Sequence, residues 1–224
     1  FEYLLNAIKS VREQSYPNIE IIVINDRSTQ KEYYSYDWKD ITIVHLDKNS
    51  KNRIGYACAG YVRNKGISVS NGKYIAFLDD DDLWFKNKVS LQIALMKVSG
   101  SKMCCSEGYM GKGIFDKTKK YNKYNSEQCF QIIKDIFKRK NSNLLENGYP
   151  DIWDLDFLTV HNCAPTSSVI VDKSILEKIN YMKHLKNGQE DYDCWLRCLE
   201  HTTMCYLHEP TFYYDDLHGG GRNY

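Results

Sequence analysis

The chain has 224 residues and a formal net charge of +1, with 42% hydrophobic residues. That length gives one domain, or two fused tightly, with enough apolar material for a core. The near-neutral balance excludes nucleic acid as a bulk electrostatic partner. No apolar run reaches the ~20 residues that cross a bilayer, and no signal-peptide pattern is present.

Leu4, Ile8 and Val11 recur at helical spacing, and Tyr16-Pro17 ends that helix. Ile19 to Ile24 reads as a buried strand, with Asn25 to Thr29 a polar loop behind it. Ile41 to Leu46 is a second strand and Asp47 to Arg53 a second loop. Tyr56 to Val69 reads as a helix closed by Asn71-Gly72. Lys73 to Leu78 is a third strand, and Trp84 to Val98 a helix. This alternation predicts an α/β fold with a Rossmann-like, mostly parallel sheet flanked by helices.

The second half is less regular. Met103 to Cys105 reads as a short strand, and residues 111 to 150 as an insertion without period. The basic cluster from Lys117 to Lys140 lies inside it and reads as solvated surface. Ser167 to Val171 reads as a strand, and Ser174 to Ile179 as a helix capped by Ser174. Asp191 to Glu200 reads as a helix. Met204 to Leu207 and Thr211 to Tyr214 read as closing strands, before a glycine-rich tail from His218 to Arg222. The eight cysteines include no C-x-x-C pair, which argues against zinc. They read as reduced core residues, so a cytoplasmic location is expected, with peripheral attachment to a membrane compatible with it.

The run Asp79-Asp80-Asp81-Asp82, directly behind the third strand, is the strongest chemical signal. Four adjacent carboxylates repel one another, and burial adds to the cost of their charge unless a cation sits among them. If strand geometry persists through the run, alternation puts Asp79 and Asp81 on one side. Their hard oxygens suit Mg²⁺ or Mn²⁺, which are often held by one or two protein carboxylates plus substrate phosphates. The other reading is an acidic turn with Asp82 capping the next helix. In open α/β sheets ligands bind at the carboxyl ends of strands, and Asp26 also stands at such an end. Its carboxylate suits the imide N–H of uracil or thymine. The guanidinium fork of Arg63 suits a phosphate or base contact.

The ordered segments Ile19–Thr29, Val62–Ile67, Gly72–Trp84 and Glu190–Arg197 resemble the family 2 glycosyltransferases with the GT-A fold. The resemblance covers nearly the whole chain, most densely to about residue 98. It implies transfer of a sugar, with inversion, from a nucleotide-diphosphate sugar to an acceptor hydroxyl. The acceptor is a glycan, a protein or a lipid-linked group. By the family's pattern Asp26 contacts the base, Asp79 and Asp81 of a D-x-D motif hold Mn²⁺ or Mg²⁺ and the diphosphate, and Asp80 lies near the ribose. Asp191 is the general base. His218 on the tail is a further candidate metal ligand.

On this reading residues 1–105 form the nucleotide-sugar half and residues 106–224 the acceptor half of one domain. The family's opening strand is expected upstream of Phe1, and Arg27 stands where glycine is common. Two competing functions remain: a non-catalytic nucleotide-sugar or glycan-binding domain, and an aspartate-dependent phosphohydrolase. Leu83-Trp84 after the acidic run is unlike the small residue and Thr or Val that such hydrolases place there.

Overall fold

A computed structural model describes residues 1–186 and 188–218. In chain order the first half runs α1 (Glu2–Arg12), β1 (Ile21–Asn25), α2 (Glu32–Ser35), β2 (Ile41–His45), α3 (Ser50–Ile54), α4 (Ala59–Val69), β3 (Tyr74–Ala76), β4 (Leu83–Trp84), α5 (Lys88–Ser99). Then come β5 (Met103–Gly111), β6 (Asn122–Lys123), α6 (Glu127–Arg139), β7 (Ile152–Trp153), α7 (Leu155–Leu158), a 3₁₀ turn (Thr166–Ser168), β8 (Ile170–Asp172), α8 (Lys173–Lys178), α9 (Glu190–Leu199) and β9 (Met204–Asp215).

The α/β class is as expected, but the larger sheet is mixed rather than mostly parallel. Strands β1 and β2 form a separate parallel pair. The larger sheet runs β3-β8-β5-β9-β4, with β6 on β5 and β7 on β9. In it only β5 and β9 pair in parallel; the other pairings are antiparallel. Apolar strands buried on both faces read alike in either direction, so composition does not reveal strand sense. One face of the sheet carries a core that includes Phe77, Met103, Trp153, Val171 and Trp195. The other carries Trp84, Ile93, Met96, Cys104 and Phe212.

Several boundaries differ from expectation for local reasons. The loop at 47–53 contains α3, whose first turn is capped by the Asn49 side chain accepting from the Asn52 N–H at 2.8 Å. Leu83 and Trp84 do not open a helix. They pair with Tyr213 and Phe212 of β9, and α5 begins only at Lys88. The stretch at 111–150 contains α6, capped by Ser126, with Ile133 and Phe137 buried four residues apart. Helix α8 is capped by Asp172, not Ser174. The two closing strands are one, β9, with its register shifted where Leu207 and Pro210 face Ser106 and Glu107. The described residues hold eight free cysteines, all buried except the half-buried Cys129. No helix among the described residues is long and apolar enough to cross a membrane.

Arg27 lies in the left-handed region at φ 65°. A side chain there costs about 1–2 kcal/mol relative to the right-handed region, which glycine escapes. Arg27→Gly therefore raises stability by ~0.5–1 kcal/mol net of its added unfolded-state entropy, read as a melting temperature higher by ~1–4 °C. An unchanged or lower value shows that the Arg27 side chain compensates for the strain.

Candidate active site

Two helices and two loops converge behind β3. Helix α4 brings Arg63, and its close approach is permitted by Gly60: a Cβ there would stand 2.7 Å from the Lys183 carbonyl and 3.1 Å from Glu190 Cγ. Asn64, next on α4, fastens the same contact by exchanging hydrogen bonds with the Met182 N–H and carbonyl, at 3.0 and 2.8 Å. Helix α9 brings Glu190 and Asp191, held by a buried stripe of Cys194, Trp195, Cys198 and Leu199.

Arg63 joins the two motifs. Its Nη2 donates to Asp79 Oδ1 at 2.7 Å and its Nη1 to Glu190 Oε1 at 3.0 Å. Only 17% of the Arg63 side chain and 6% of that of Glu190 are exposed. Burial opposes the guanidinium charge, but Asp79 and Glu190 outweigh it, and Arg63 is held above its ordinary pKa. Arg63 is thus tied to protein carboxylates rather than left open for a phosphate.

The 3₁₀ turn supplies two hydroxyls. Thr166 Oγ1 donates to Asp191 Oδ2 at 3.0 Å, and Ser167 Oγ accepts from the Asp79 N–H at 3.0 Å. The turn is anchored from beneath. Trp84 Nε1 donates to the Ser167 carbonyl at 2.9 Å. The Ser168 carbonyl accepts from Gln92 Nε2 at 2.8 Å and from Lys88 Nζ at 3.2 Å. Lys88 is fully buried beside the Trp84 ring, and burial lowers its pKa to about 7.

The acidic run changes environment residue by residue. Asp80 is exposed and Asp79 and Asp81 half-buried, while Asp82 is buried. Asp82 does not cap a helix. Its Oδ1 accepts from the Asp215 N–H at 2.9 Å, and its Oδ2 has no hydrogen-bond partner. Burial, then the Asp79 charge, raises the Asp82 pKa well above the usual range. Burial, then Asp79 and Asp80, raises Asp81 to about 7. Asp80 is also raised, by desolvation and Asp79; it meets solvent but is walled by protein, as a cleft residue is. Asp191 is raised too, chiefly by burial, with Arg63 opposing.

His218 reaches the same acidic group. Its Nδ1 lies 2.6 Å from Asp215 Oδ2 and its ring packs on Tyr3 at 4.3 Å. The rest of the glycine-rich tail, Gly219 to Arg222, lies outside the described residues. Asp26 stands apart, its carboxylate accepting from the Ser50 N–H and hydroxyl, each at 2.6 Å.

The carboxylates of the acidic run are the donor set available to Mg²⁺ or Mn²⁺. Among the described residues no three His, Cys, Asp or Glu side chains form a ready metal cage. A hard cation shared with a diphosphate does not require one. Carboxylates that resist ionisation for want of a counter-charge are what such an ion would relieve. Asp81, pushed up to about 7 by burial and the charges of Asp79 and Asp80, fits that description, and the half-buried Asp79 carboxylate beside it would supply a second oxygen ligand.

Glu190 as the partner of Arg63, the Thr166 and Ser167 hydroxyls, and Asp215 were not singled out from the sequence as site residues. The uncharged run Ala164-Pro165-Thr166-Ser167-Ser168 gives no chemical signal. The sequence offers only the apolar run Val169-Ile170-Val171 behind it, which places those hydroxyls beside a buried strand, where they need hydrogen-bond partners.

The chain is similar to several known proteins. WfaP of Escherichia coli, described as a UDP-Glc:alpha-D-GlcNAc-diphosphoundecaprenol beta-1,3-glucosyltransferase, is 33% identical over 146 residues, which is 60% of this chain and 56% of that protein. The uncharacterized glycosyltransferase MJ1057 of Methanocaldococcus jannaschii is 26% identical over 211 residues, 88% of this chain and 60% of that one. The chain thus spans little more than half the length of these two relatives. The crystal structure of a fragment of S. aureus TarS in complex with UDP-GlcNAc superposes with a TM-score of 0.68 at 16% identity, covering 98% of this chain and 56% of that one. That likeness establishes the GT-A fold. Residues 1–175 match the profile of Glycosyl transferase family 2, which takes in Arg63 and the whole acidic run. With more than half of its length matched and the fold in agreement, the chain belongs to glycosyl transferase family 2.

Proposed function

We propose that the chain moves a sugar, with inversion, from a UDP-sugar to an acceptor hydroxyl, using Mn²⁺ or Mg²⁺ held by Asp79 and Asp81. The observation that carries this reading is the bridge from Asp79 through Arg63 to Glu190, which sets the acidic run beside Asp191. Residues 1–105 hold the donor, and residues 106–224 supply the acceptor site and the base. Printed descriptions of similar proteins support the donor class, naming UDP-Glc for WfaP and UDP-GlcNAc in the TarS complex.

In the displacement the acceptor oxygen attacks the anomeric carbon and Asp191 takes its proton. The bond from that carbon to the diphosphate oxygen breaks, and UDP leaves with the electron pair. The bound cation supplies Lewis-acid neutralisation of charge on the departing diphosphate. Thr166 orients the Asp191 carboxylate, and burial keeps Asp191 basic enough to accept a proton. Arg63 fixes Asp79 against Glu190. Asp80 lies near the ribose. Asp26 accepts the imide N–H of uracil while retaining Ser50, since a carboxylate has about four lone-pair sites. His218 adds a contact to the cation or diphosphate from the tail side.

Asp81 gives the reading its pH signature. It must lose a proton to hold the cation, and its pKa is about 7. Affinity for UDP with Mn²⁺ should therefore rise about tenfold per pH unit below 7, with ~1 proton released, and level off above. Without metal the sign reverses for stability. Between the unfolded value near ~4 and the folded value the native state holds more protons, so stability falls as pH rises through that window. Calorimetry with UDP and Mn²⁺ from pH 5.5 to 8.5, beside Asp81→Asn and CDP, tests this. The expected result is a pH slope lost in Asp81→Asn, and UDP preferred to CDP. Equal UDP affinity with EDTA and with Mn²⁺ contradicts it.

A further inference from the structure

A cavity of about 650 Å³ lies outside the cluster around Arg63. It falls within the ~300–1,000 Å³ of sites that enclose small ligands. Its walls are rings: Phe130 at the start of α6, Tyr149, and Tyr206 and His208 from β9. The side-chain amides of Asn122, Asn125 and Gln128 stand among them.

The wall is organised in advance by a buried carboxylate. Glu107 Oε1 accepts from the Gly108 N–H at 2.8 Å and the Asn125 N–H at 3.1 Å, and its Oε2 accepts from the Tyr206 hydroxyl at 2.9 Å. Tyr149 carries a buried hydroxyl without a hydrogen-bond partner. Such a group costs about 1–3 kcal/mol, and a small shift of the ring would offer it to a ligand hydroxyl.

One short segment of chain links the cavity wall to the proposed base. Asn125 Nδ2 donates to the Cys163 carbonyl at 3.2 Å. Three residues on, Thr166 donates to Asp191. Tyr124, next to Asn125, feels the Asp191 charge, which adds to the burial that raises its pKa. The strap from Cys163 to Thr166 therefore joins the cavity wall at one end to the base at the other.

Ring faces with amides between them match a pyranose, whose C–H faces pack on aromatics and whose hydroxyls need paired donors and acceptors. The charge favours a neutral sugar, because Lys123 is set against Glu107 and Glu127 in the same wall. We propose that this cavity is the acceptor subsite and seats a neutral pyranose unit of the acceptor glycan. The assignment rests on the glycosyl-transfer reading above.

Saturation-transfer NMR on the unmutated chain with methyl β-glycosides of glucose, galactose, mannose, N-acetylglucosamine and N-acetylgalactosamine tests it. Glycerol 3-phosphate serves as the anionic comparison, and UDP with Mn²⁺ is titrated separately. Two variants on exposed positions accompany it: Gln128→Trp, which fills the cavity from the first turn of α6, and His208→Ala, which removes one wall ring. The expected result is transfer to at least one glycoside, lost in Gln128→Trp and weakened in His208→Ala, with UDP affinity unchanged in both.

UDP binding without transfer to any glycoside overturns the subsite and leaves the donor reading standing. Glycoside signals equal in all three proteins, or transfer to glycerol 3-phosphate alone, also overturn it. Glycosides that bind at the cavity while UDP does not bind would remove the glycosyl-transfer reading, and the cavity would then be a carbohydrate site of a non-catalytic domain.

Discussion

Asp191→Asn lowers the rate of sugar transfer by about 10²–10⁴-fold, the usual loss when a general base is removed. The fall is in kcat, with UDP affinity little changed. Asparagine preserves both local contacts: its Oδ1 can accept from the Tyr192 N–H, and its Nδ2 can donate to the Thr166 hydroxyl. The fold is therefore retained and only basicity is lost. Because burial raises the Asp191 pKa, the acid limb of the parent kcat/KM profile lies above the ordinary carboxylate range. At saturating UDP-sugar and Mn²⁺ the Asp191 limb is absent from kcat of the variant, while the acid limb set by Asp81 stays in kcat/KM. A rate within about threefold of the parent removes Asp191 from the mechanism and directs attention to Glu190 and Asp193.

Arg63→Met unfolds the chain more easily, by about 3 kcal/mol, because it leaves the buried Glu190 carboxylate without a partner. For a chain of this length that is a melting temperature lower by ~6–12 °C. Asp79 loses its clamp at the same time, so metal-dependent UDP binding weakens. Lysine cannot replace arginine here, since one ammonium lacks the fork that reaches two carboxylates. A second substitution identifies the cause. If unpaired charge is responsible, Glu190→Gln in the Arg63→Met background recovers part of the loss. A double variant no more stable than Arg63→Met assigns the cost to packing instead.

The donor half was readable because its signals are local. The β1 run of β-branched residues, the glycine-ended polar loop before β3 and the acidic run each announce themselves within ten residues. The strand senses were not, because β8 and β9 insert between earlier strands and composition does not record which neighbour a strand will find. Helix α6 was missed where lysines, asparagines and tyrosines crowd around it, although Ser126 and the Phe130-Ile133-Phe137 spacing mark it. In the candidate site, Asp79, Asp81 and Asp191 stand out in the sequence by their motifs, whereas Arg63, expected at a phosphate or base, is tied to Asp79 and Glu190. The Arg63–Glu190 pair was not legible, since 127 residues separate its members. Thr166 and Ser167 escaped because a hydroxyl carries no charge pattern. Asp26 was legible as a strand-end carboxylate, but its contact with Ser50 depends on the fold of α3.

The most direct measurement is UDP release from a panel of UDP-sugars, with water as the acceptor, in Mn²⁺ and in EDTA. It is run on the parent chain, Asp81→Asn and Asp191→Asn, beside phosphate release from a phosphomonoester. The account predicts UDP release by the parent from at least one UDP-sugar, halted by EDTA and by Asp81→Asn and strongly reduced by Asp191→Asn, with no phosphate from the ester. Phosphate release without UDP release, or UDP release indifferent to both substitutions, contradicts it.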